Sequence, residues 1–435
     1  MQSFYWDCPN DQTKNWWEYL KGYVPSLAKQ GFTAIWLPPA SKAYPAKSMG
    51  YSPYDYYDLG EFNQKGSINT WFGSKQQLVD LIKSIHSCNM QVYADMVLNH
   101  NSGADQQEKN LIDGKLRWTK FNPASKKFTR DWSYFHPCYY EMWDNQTFGD
   151  MPDLCHRNPL VYTELIEYAQ WLLDEIGFDG FRYDFVLGYG GWMARAIQEL
   201  RTLKNDKPEK PYGVGECWEQ IRTIDDWLDE TNSWSDNPVG AFDFPLRDRL
   251  KNLCDSFGFS LKALTESGTL MNDWPKSAVT FVENHDIVRS NPIINDKMLA
   301  YAIILTHEGY PCVFWQDYYI WNLGQENSKS GIAALVNIHE NYAGGSTTIL
   351  FTDDNLYIMQ RNGFGSQKGL LLVMNNYGDR WNGKNIITQW NNSLLKPVAW
   401  YSKNDNSIPQ DIKTDSSGSA ELWAPPRGYV VYVPQ

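Results

Sequence analysis

Apolar positions along the chain follow two rhythms. Short, nearly continuous apolar runs at Phe32–Leu37, Met90–Leu98, Gly180–Tyr183, Tyr212–Gly215 and Ala278–Val282 have the length and chemistry of strands buried on both faces. Amphipathic runs lie between them. Lys14–Gln30 repeats Trp17, Leu20, Val24 and Leu27, and Ser74–Cys88 puts Leu78, Leu81, Ile82 and Ile85 on one face. Further helices are predicted at Tyr162–Glu175, Gly191–Leu203, Ile224–Asp229, Leu246–Cys254, Lys297–His307 and Gly331–Glu340, with Gly177 as a helix stop. Gln2–Trp6, Gly240–Phe244 and Pro311–Trp315 bring the strands to eight. The alternation predicts an α/β fold, a closed (β/α)8 TIM barrel.

Two regions break the rhythm. Residues 99–157, directly after the third strand, are aromatic, polar and turn-rich without a clear period, which predicts a functional insertion rather than a connector. After Tyr342, short alternating strands such as Leu356–Gln360 and Gly369–Asn375 lie between Gly, Asn and Asp turns, up to Gly428–Val433. That pattern predicts a C-terminal antiparallel β domain of sandwich type. The expected division is barrel 1–98, insertion 99–157, barrel 158–342 and β domain 343–435. Lys204–Pro211 reads as a charged surface loop.

Composition narrows the function. A net charge of -12 argues against nucleic acid and favours a neutral ligand. Aromatics make up 15% of the chain, enough to stack on sugar faces after the core is filled. The seven cysteines form no C-x-x-C pair and no dense disulfide framework, and their odd number argues against a disulfide-built exoprotein. No apolar run of membrane-spanning length is present, and no signal peptide is read; the strand-like opening fits a chain whose leader has been removed.

The ends of the predicted strands carry the chemistry. One ends Asp95-Met-Val-Leu-Asn99-His100, the next Arg182-Tyr-Asp184, the next Gly215-Glu216, and a later one Glu283-Asn-His285-Asp286. In a barrel these ends share the catalytic face. Carboxylates without a phosphate loop or transition-metal cluster suggest glycoside hydrolysis, which needs one ionised and one protonated carboxyl. Asp184, two residues from Arg182 on the same side of a strand, suits a nucleophile kept ionised. Glu216, in Val214-Gly-Glu-Cys-Trp218, is expected among less polar neighbours, which would raise its pKa and suit a proton donor.

These four segments, in this order, together with Gly50-Tyr-Ser-Pro-Tyr-Asp-Tyr-Tyr-Asp-Leu-Gly60, Asn63-Gln-Lys-Gly66 and Phe72-Gly-Ser74, resemble the α-amylase family of glycoside hydrolases over almost the whole chain. Their wording is similar to the archaeal and plant-like members. The resemblance implies a retaining, endo-acting enzyme on α-1,4 bonds of starch, glycogen and maltooligosaccharides. It implies Asp184 as nucleophile, Glu216 as general acid/base and Asp286 as the third carboxylate. Arg182 would orient Asp184, Asp95 would brace the site, His100 and His285 would hydrogen-bond the sugar, and Tyr51 would stack on it. Trp218 is a further substrate-binding candidate. The two reacting carboxyls should lie roughly 5–5.5 Å apart. Many relatives carry Lys and His where Leu187 and Gly188 stand here, which leaves the leaving-group side and the product pattern open.

The resemblance also implies that residues 99–157 form a metal-bearing B domain. Asn99, Asp144 and Asp153, with the carbonyls of Gln146 and Gly188, match calcium ligands, and hard oxygens suit that ion. Archaeal relatives hold a neighbouring zinc by two His and a Cys; His136 and Cys155 match, and Glu141 stands at the second His position. His86, His156, His307 and His339 read as structural or surface residues, and Cys217 as no nucleophile. Alternatives to the endo-amylase are an oligosaccharide-forming amylase or glucan transferase on the same scaffold, and a non-catalytic glucan-binding relative. The last should have lost one of the three carboxylates, and all three are present. The expected setting is extracellular, with the cytoplasm as alternative, and the expected state a monomer with no membrane or nucleic-acid partner.

Overall fold

In a computed structural model, residues 1–9, 14–144, 146–204 and 207–435 are described. The chain divides into two compact units, Met1–Phe242 and Asp243–Gln435.

The first unit is built on five parallel strands paired in chain order: β1 (Ala34–Trp36), β2 (Gln91–Met96), β3 (Gly180–Tyr183), β4 (Tyr212–Gly215) and β5 (Gly240–Phe242). Register aligns Asp95 of β2 with Arg182 of β3, and Arg182 with Val214 of β4. Gly180 allows the β3–β4 approach, since a Cβ there would lie 2.4 Å from the Tyr212 carbonyl oxygen. Around the strands run the expected helices. Lys75–Ser87 starts at a Ser74–Gln77 capping box, and Pro159–Trp171 starts with Asn158 as cap and Pro159 in the first turn. The latter continues as a π-helical turn, Leu172–Ile176, which Gly177 stops in the left-handed region at φ 96°.

Three expectations are corrected. Gln2–Trp6 is not a full strand. Only Gln2 bridges Trp36, in parallel, with backbone hydrogen bonds on either side, before the chain turns at Tyr5–Cys8. The single helix over Lys14–Gln30 is two, Trp16–Lys21 and Val24–Gln30, and the second has Pro25 in its first turn, which has no N–H to carry a helix through it. The loop at Lys204–Pro211 contains part of a small hairpin, Thr202–Lys204 with Lys207–Glu209. The insertion holds a second hairpin, Gln106–Lys109 with Leu116–Lys120, and little other regular structure.

The second unit opens with helix Phe244–Asp255, capped by Asp243, and carries two further parallel strands, β6 (Ala278–Phe281) and β7 (Tyr310–Cys312), paired Val279 to Tyr310. It then forms a six-stranded antiparallel sheet that includes Leu356–Arg361, Leu370–Asn375 and Gly428–Pro434. A two-stranded sheet, Asn382–Ile387 with Ser419–Ala424, supplies part of the same core: Ile386 and Leu422 cluster with Leu356, Ile358, Leu371, Val373 and Val430. Helix Lys297–Thr306 packs against the large sheet, which is why Leu370–Asn375 and Gly428–Pro434 are buried on both faces instead of alternating. No described helix is long and apolar enough to cross a membrane.

Candidate active site and metal centre

The parallel register of β2, β3 and β4 brings three carboxylates to one guanidinium. Arg182 is 1% exposed. Its Nη1 donates to Asp95 Oδ1 and to Asp184 Oδ1, each at 2.7 Å, and its Nη2 lies 2.7 Å from Glu216 Oε1. The guanidinium also sits over the Trp36 ring, 5.1 Å from its centroid. Burial pulls the Arg182 pKa down, but Asp95, Glu216 and Asp184 outweigh it and hold the group well above its usual value. Asp95 is fully engaged, its Oδ2 accepting from Trp36 Nε1 at 3.0 Å and from the Tyr51 hydroxyl at 2.7 Å.

The surroundings of Glu216 differ from the expectation. It meets not only apolar neighbours but also Arg182, and its Oε2 accepts from the Phe185 N–H at 3.2 Å. One guanidinium thus holds both Asp184 and Glu216, one on each amino group. Phe185, between them in the chain, adopts φ 44°, a region bulky residues rarely use; such strain concentrates at functional sites.

His100 is fully buried, with Nε2 3.0 Å from the Tyr51 carbonyl oxygen, and burial pushes its pKa down, so the ring is neutral at physiological pH. Its ring stacks on Phe148 at 4.5 Å and 10°. Phe148 lies in the unpatterned part of the insertion and carried no signal in the sequence. Trp218 is half-exposed just past the end of β4. In the second unit, His285 and Asp286 stand together past the end of β6, with His285 Nε2 3.0 Å from Asp286 Oδ2. The Asn284 side chain accepts from the N–H groups of Asp286 and Ile287, which fixes that turn.

Below His100, the expected calcium ligands converge. Asn99, His136 and Asp153 are buried, and Asp144 is nearly so. Ligand atoms of His136, Asp144 and Asp153 lie within 4.8 Å of one another. Both side-chain atoms of Asn99 and both carboxylate oxygens of Asp144 and of Asp153 lack a hydrogen-bond partner among the described residues. So many orphaned buried oxygens are costly unless a cation takes them. The cradle includes Gly188, where a Cβ would fall 1.8 Å from Asn99 Oδ1. Gln146 is exposed and follows Asn145, which lies outside the described residues. The oxygen set fits calcium.

Two imidazoles border the set. His136 Nε2 lies 3.3 Å and His156 Nδ1 3.9 Å from Asp144 Oδ2. His156, read from sequence as merely structural, is therefore part of this centre's wall. The zinc set is corrected. Cys155 is joined to Cys138 in a disulfide and offers no thiolate, while Glu141 faces His136 Nδ1 through its backbone carbonyl at 3.2 Å.

Burial and the neighbouring Asp144 push the Asp153 carboxyl well above the usual carboxylate range. Without a cation, Asp153 therefore holds its proton at neutral pH, and a cation must displace it. Calcium affinity should fall as pH is lowered, because protons compete for the same oxygens. Calorimetric titration of the chelated protein at mildly acidic and mildly alkaline pH should show tighter binding on the alkaline side and the larger proton release on the acidic side, where Asp153 holds its proton most fully. Equal affinity at both would refute the competition.

The family model described as "Alpha amylase, catalytic domain" matches residues 20–317. An alpha-amylase of Geobacillus stearothermophilus is 32% identical over 443 residues, covering 88% of this chain and 78% of that protein. The chain belongs to the alpha-amylase family. A glucan 1,4-alpha-maltohexaosidase of Bacillus sp. (strain 707) is 30% identical over 438 residues, 88% of this chain and 83% of that protein. A cytoplasmic alpha-amylase of Escherichia coli (strain K12) is 27% identical over 444 residues, 87% of this chain and 88% of that protein. Among solved structures, an alpha-amylase from Geobacillus thermoleovorans in complex with acarbose superposes with a TM-score of 0.68 at 20% identity, over 97% of this chain and 92% of that one. The fold is thus the TIM barrel with an antiparallel C-terminal domain, and the chain is a glycoside hydrolase of a family that acts on starch-type glucans.

Proposed function

We propose that the chain is an endo-acting α-amylase that cleaves internal α-1,4 bonds of starch and glycogen with retention of configuration. The observation that carries this reading is the shared guanidinium, with Arg182 holding Asp184 and Glu216 at 2.7 Å each. In the first step Asp184 attacks the anomeric carbon, the bond to the leaving oxygen breaks, and Glu216 gives that oxygen its proton. In the second, Glu216 takes a proton from water as the water attacks the same carbon and releases Asp184. Arg182 would hold both carboxyls in register, and Asp95 would fix Arg182 from behind. Tyr51, His100, Trp218 and His285 would bind sugar, and Asp286 would grip its hydroxyls.

Asn99, Asp144, Asp153 and the Gly188 carbonyl would hold calcium, whose charge would neutralise the two acids and tie the insertion to the strand ends. The Cys138–Cys155 disulfide favours an extracellular setting over the cytoplasmic alternative. The division into barrel, B domain (99–157) and β domain (343–435) belongs to the same proposal.

Glu216→Gln tests the assignment of the acid. A leaving group that departs without protonation does not need Glu216 in the first step. The variant should therefore lose far more activity on starch than in the glycosylation burst on an activated aryl maltoside. Equal losses on both would remove Glu216 from the acid role.

A further inference from the structure

The turn that carries His285 and Asp286 is tied at its root by a side chain from another element. Arg247 stands on the helix Phe244–Asp255 and is fully buried. Its Nε donates to the Val282 carbonyl at 3.3 Å, on the chain leading into the turn. Its Nη2 donates to the Asn291 carbonyl at 2.6 Å, on the chain leading out, and to Glu283 Oε2 at 3.0 Å. Glu283 closes the same root with its other oxygen, Oε1, which accepts from the Ile293 N–H at 2.6 Å. His285, Asp286 and the short helix Ile287–Ser290 all lie between these ties.

A second cation and a second acid complete the cluster. Lys297 Nζ lies 3.3 Å from Glu283 Oε1 and donates to Asp317 Oδ1 at 2.7 Å, while Asp317 Oδ2 accepts from the Tyr301 hydroxyl at 2.6 Å. Two cations thus face two acids, and none of the four side chains is more than 8% exposed.

A buried cluster of this kind adds little net stability over apolar side chains of similar volume. The helix already has such packing in Leu246, Leu250 and Leu253. What the cluster supplies is geometry. A guanidinium presents its donors in a rigid plane, so one side chain fixes both legs of the turn at once, whereas a lysine ammonium is a single point charge. Within the turn, His285 Nε2 lies against Asp286 Oδ2 with the imidazole buried, and the Asp286 carboxylate is left 35% exposed.

We propose that Arg247 is a positioning residue for the reaction, strapping the two legs of this turn so that Asp286 is aimed at the sugar, with Glu283 and Lys297 as its supports. The inference rests on the reading of Asp286 as the third carboxylate and adds the residue that holds it. Arg247 acts through Asp286 and not on the sugar.

The test is a double-mutant cycle in the full chain. Arg247→Met, Asp286→Asn and the pair are assayed on soluble starch below the melting temperature of each, with maltoheptaose binding measured by calorimetry. Misplacing a reacting group by about an ångström costs on the order of a hundredfold in rate. Arg247→Met should therefore lower kcat by about a hundredfold, with KM and maltoheptaose affinity within about twofold of the parent. In the Asp286→Asn background the same substitution should change the residual kcat by less than about twofold, because no carboxylate is left to aim. Arg247→Lys is the second variant, for use where Arg247→Met does not fold. It keeps a cation beside Glu283 but cannot tie both carbonyls, so it should lose kcat in the same selective way. A folded variant with the parent's kcat, or an equal loss in both backgrounds, overturns the strap. If Asp286→Asn alone keeps the parent's kcat, the reading of Asp286 itself fails, and the strap has nothing to aim.

Discussion

Asp184→Asn should reduce turnover on starch by at least about three decades, roughly 4 kcal/mol of transition-state stabilisation, while glucan binding persists. Asparagine matches aspartate in shape, and the backbone anchor from the residue-184 N–H to the Met96 carbonyl, at 3.0 Å, is untouched. Arg182 keeps Asp95 and Glu216 as partners, so the cluster should hold its form. What disappears is the negative charge and the lone pair that attack the anomeric carbon. Stopped assays on soluble starch, with calorimetry on maltoheptaose, separate loss of chemistry from loss of binding. A variant retaining a tenth of the wild-type turnover number would exclude Asp184 as nucleophile.

Stripping the cation from the Asn99–Asp144–Asp153 centre should cost nearly as much, but in stability. Without it the buried Asp144 and Asp153 face each other, which forces a proton onto Asp153, and their oxygens have no hydrogen-bond partner among the described residues. A cation bound only by the folded state stabilises it by roughly 4 kcal/mol when its free concentration is a thousandfold above Kd. The centre lies on the chain segment that carries the site, because Asn99 precedes His100 and Gly188 follows Asp184 by four residues. Chelation should therefore lower both melting temperature and activity, and calcium should restore both if unfolding has not become irreversible. Asp153→Ala should melt lower than wild type and respond weakly to added calcium. Chelated protein, shown metal-free by elemental analysis, that melts and turns over like the untreated enzyme would contradict this account.

The parallel strands were legible because each is a short apolar run between glycines, prolines or acids, and burial on both faces leaves no other reading for such a run. Gln2–Trp6 was over-read. Its composition is that of a strand, but only one residue pairs, and pairing is a property of the partner rather than of the run. Arg182 and Asp184 could be placed together because residues two apart share a side of a strand. That Arg182 also reaches Glu216 depends on the lateral register of β3 and β4, which one strand's residues do not encode. The same limit explains His156 and Cys138. Their partners Asp144 and Cys155 come from loops whose path has no period, and cysteine pairing cannot be read from spacing alone.

The central claim is that Asp184, clamped by Arg182, forms the covalent glycosyl-enzyme while Glu216 handles the proton. It is tested most directly by trapping that intermediate with a slow fluorinated maltosyl substrate and mapping the labelled peptide by mass spectrometry. The account predicts one sugar adduct per chain, attached to Asp184. An adduct on Glu216, or rapid turnover of the probe to the inverted anomer without any adduct, would contradict it.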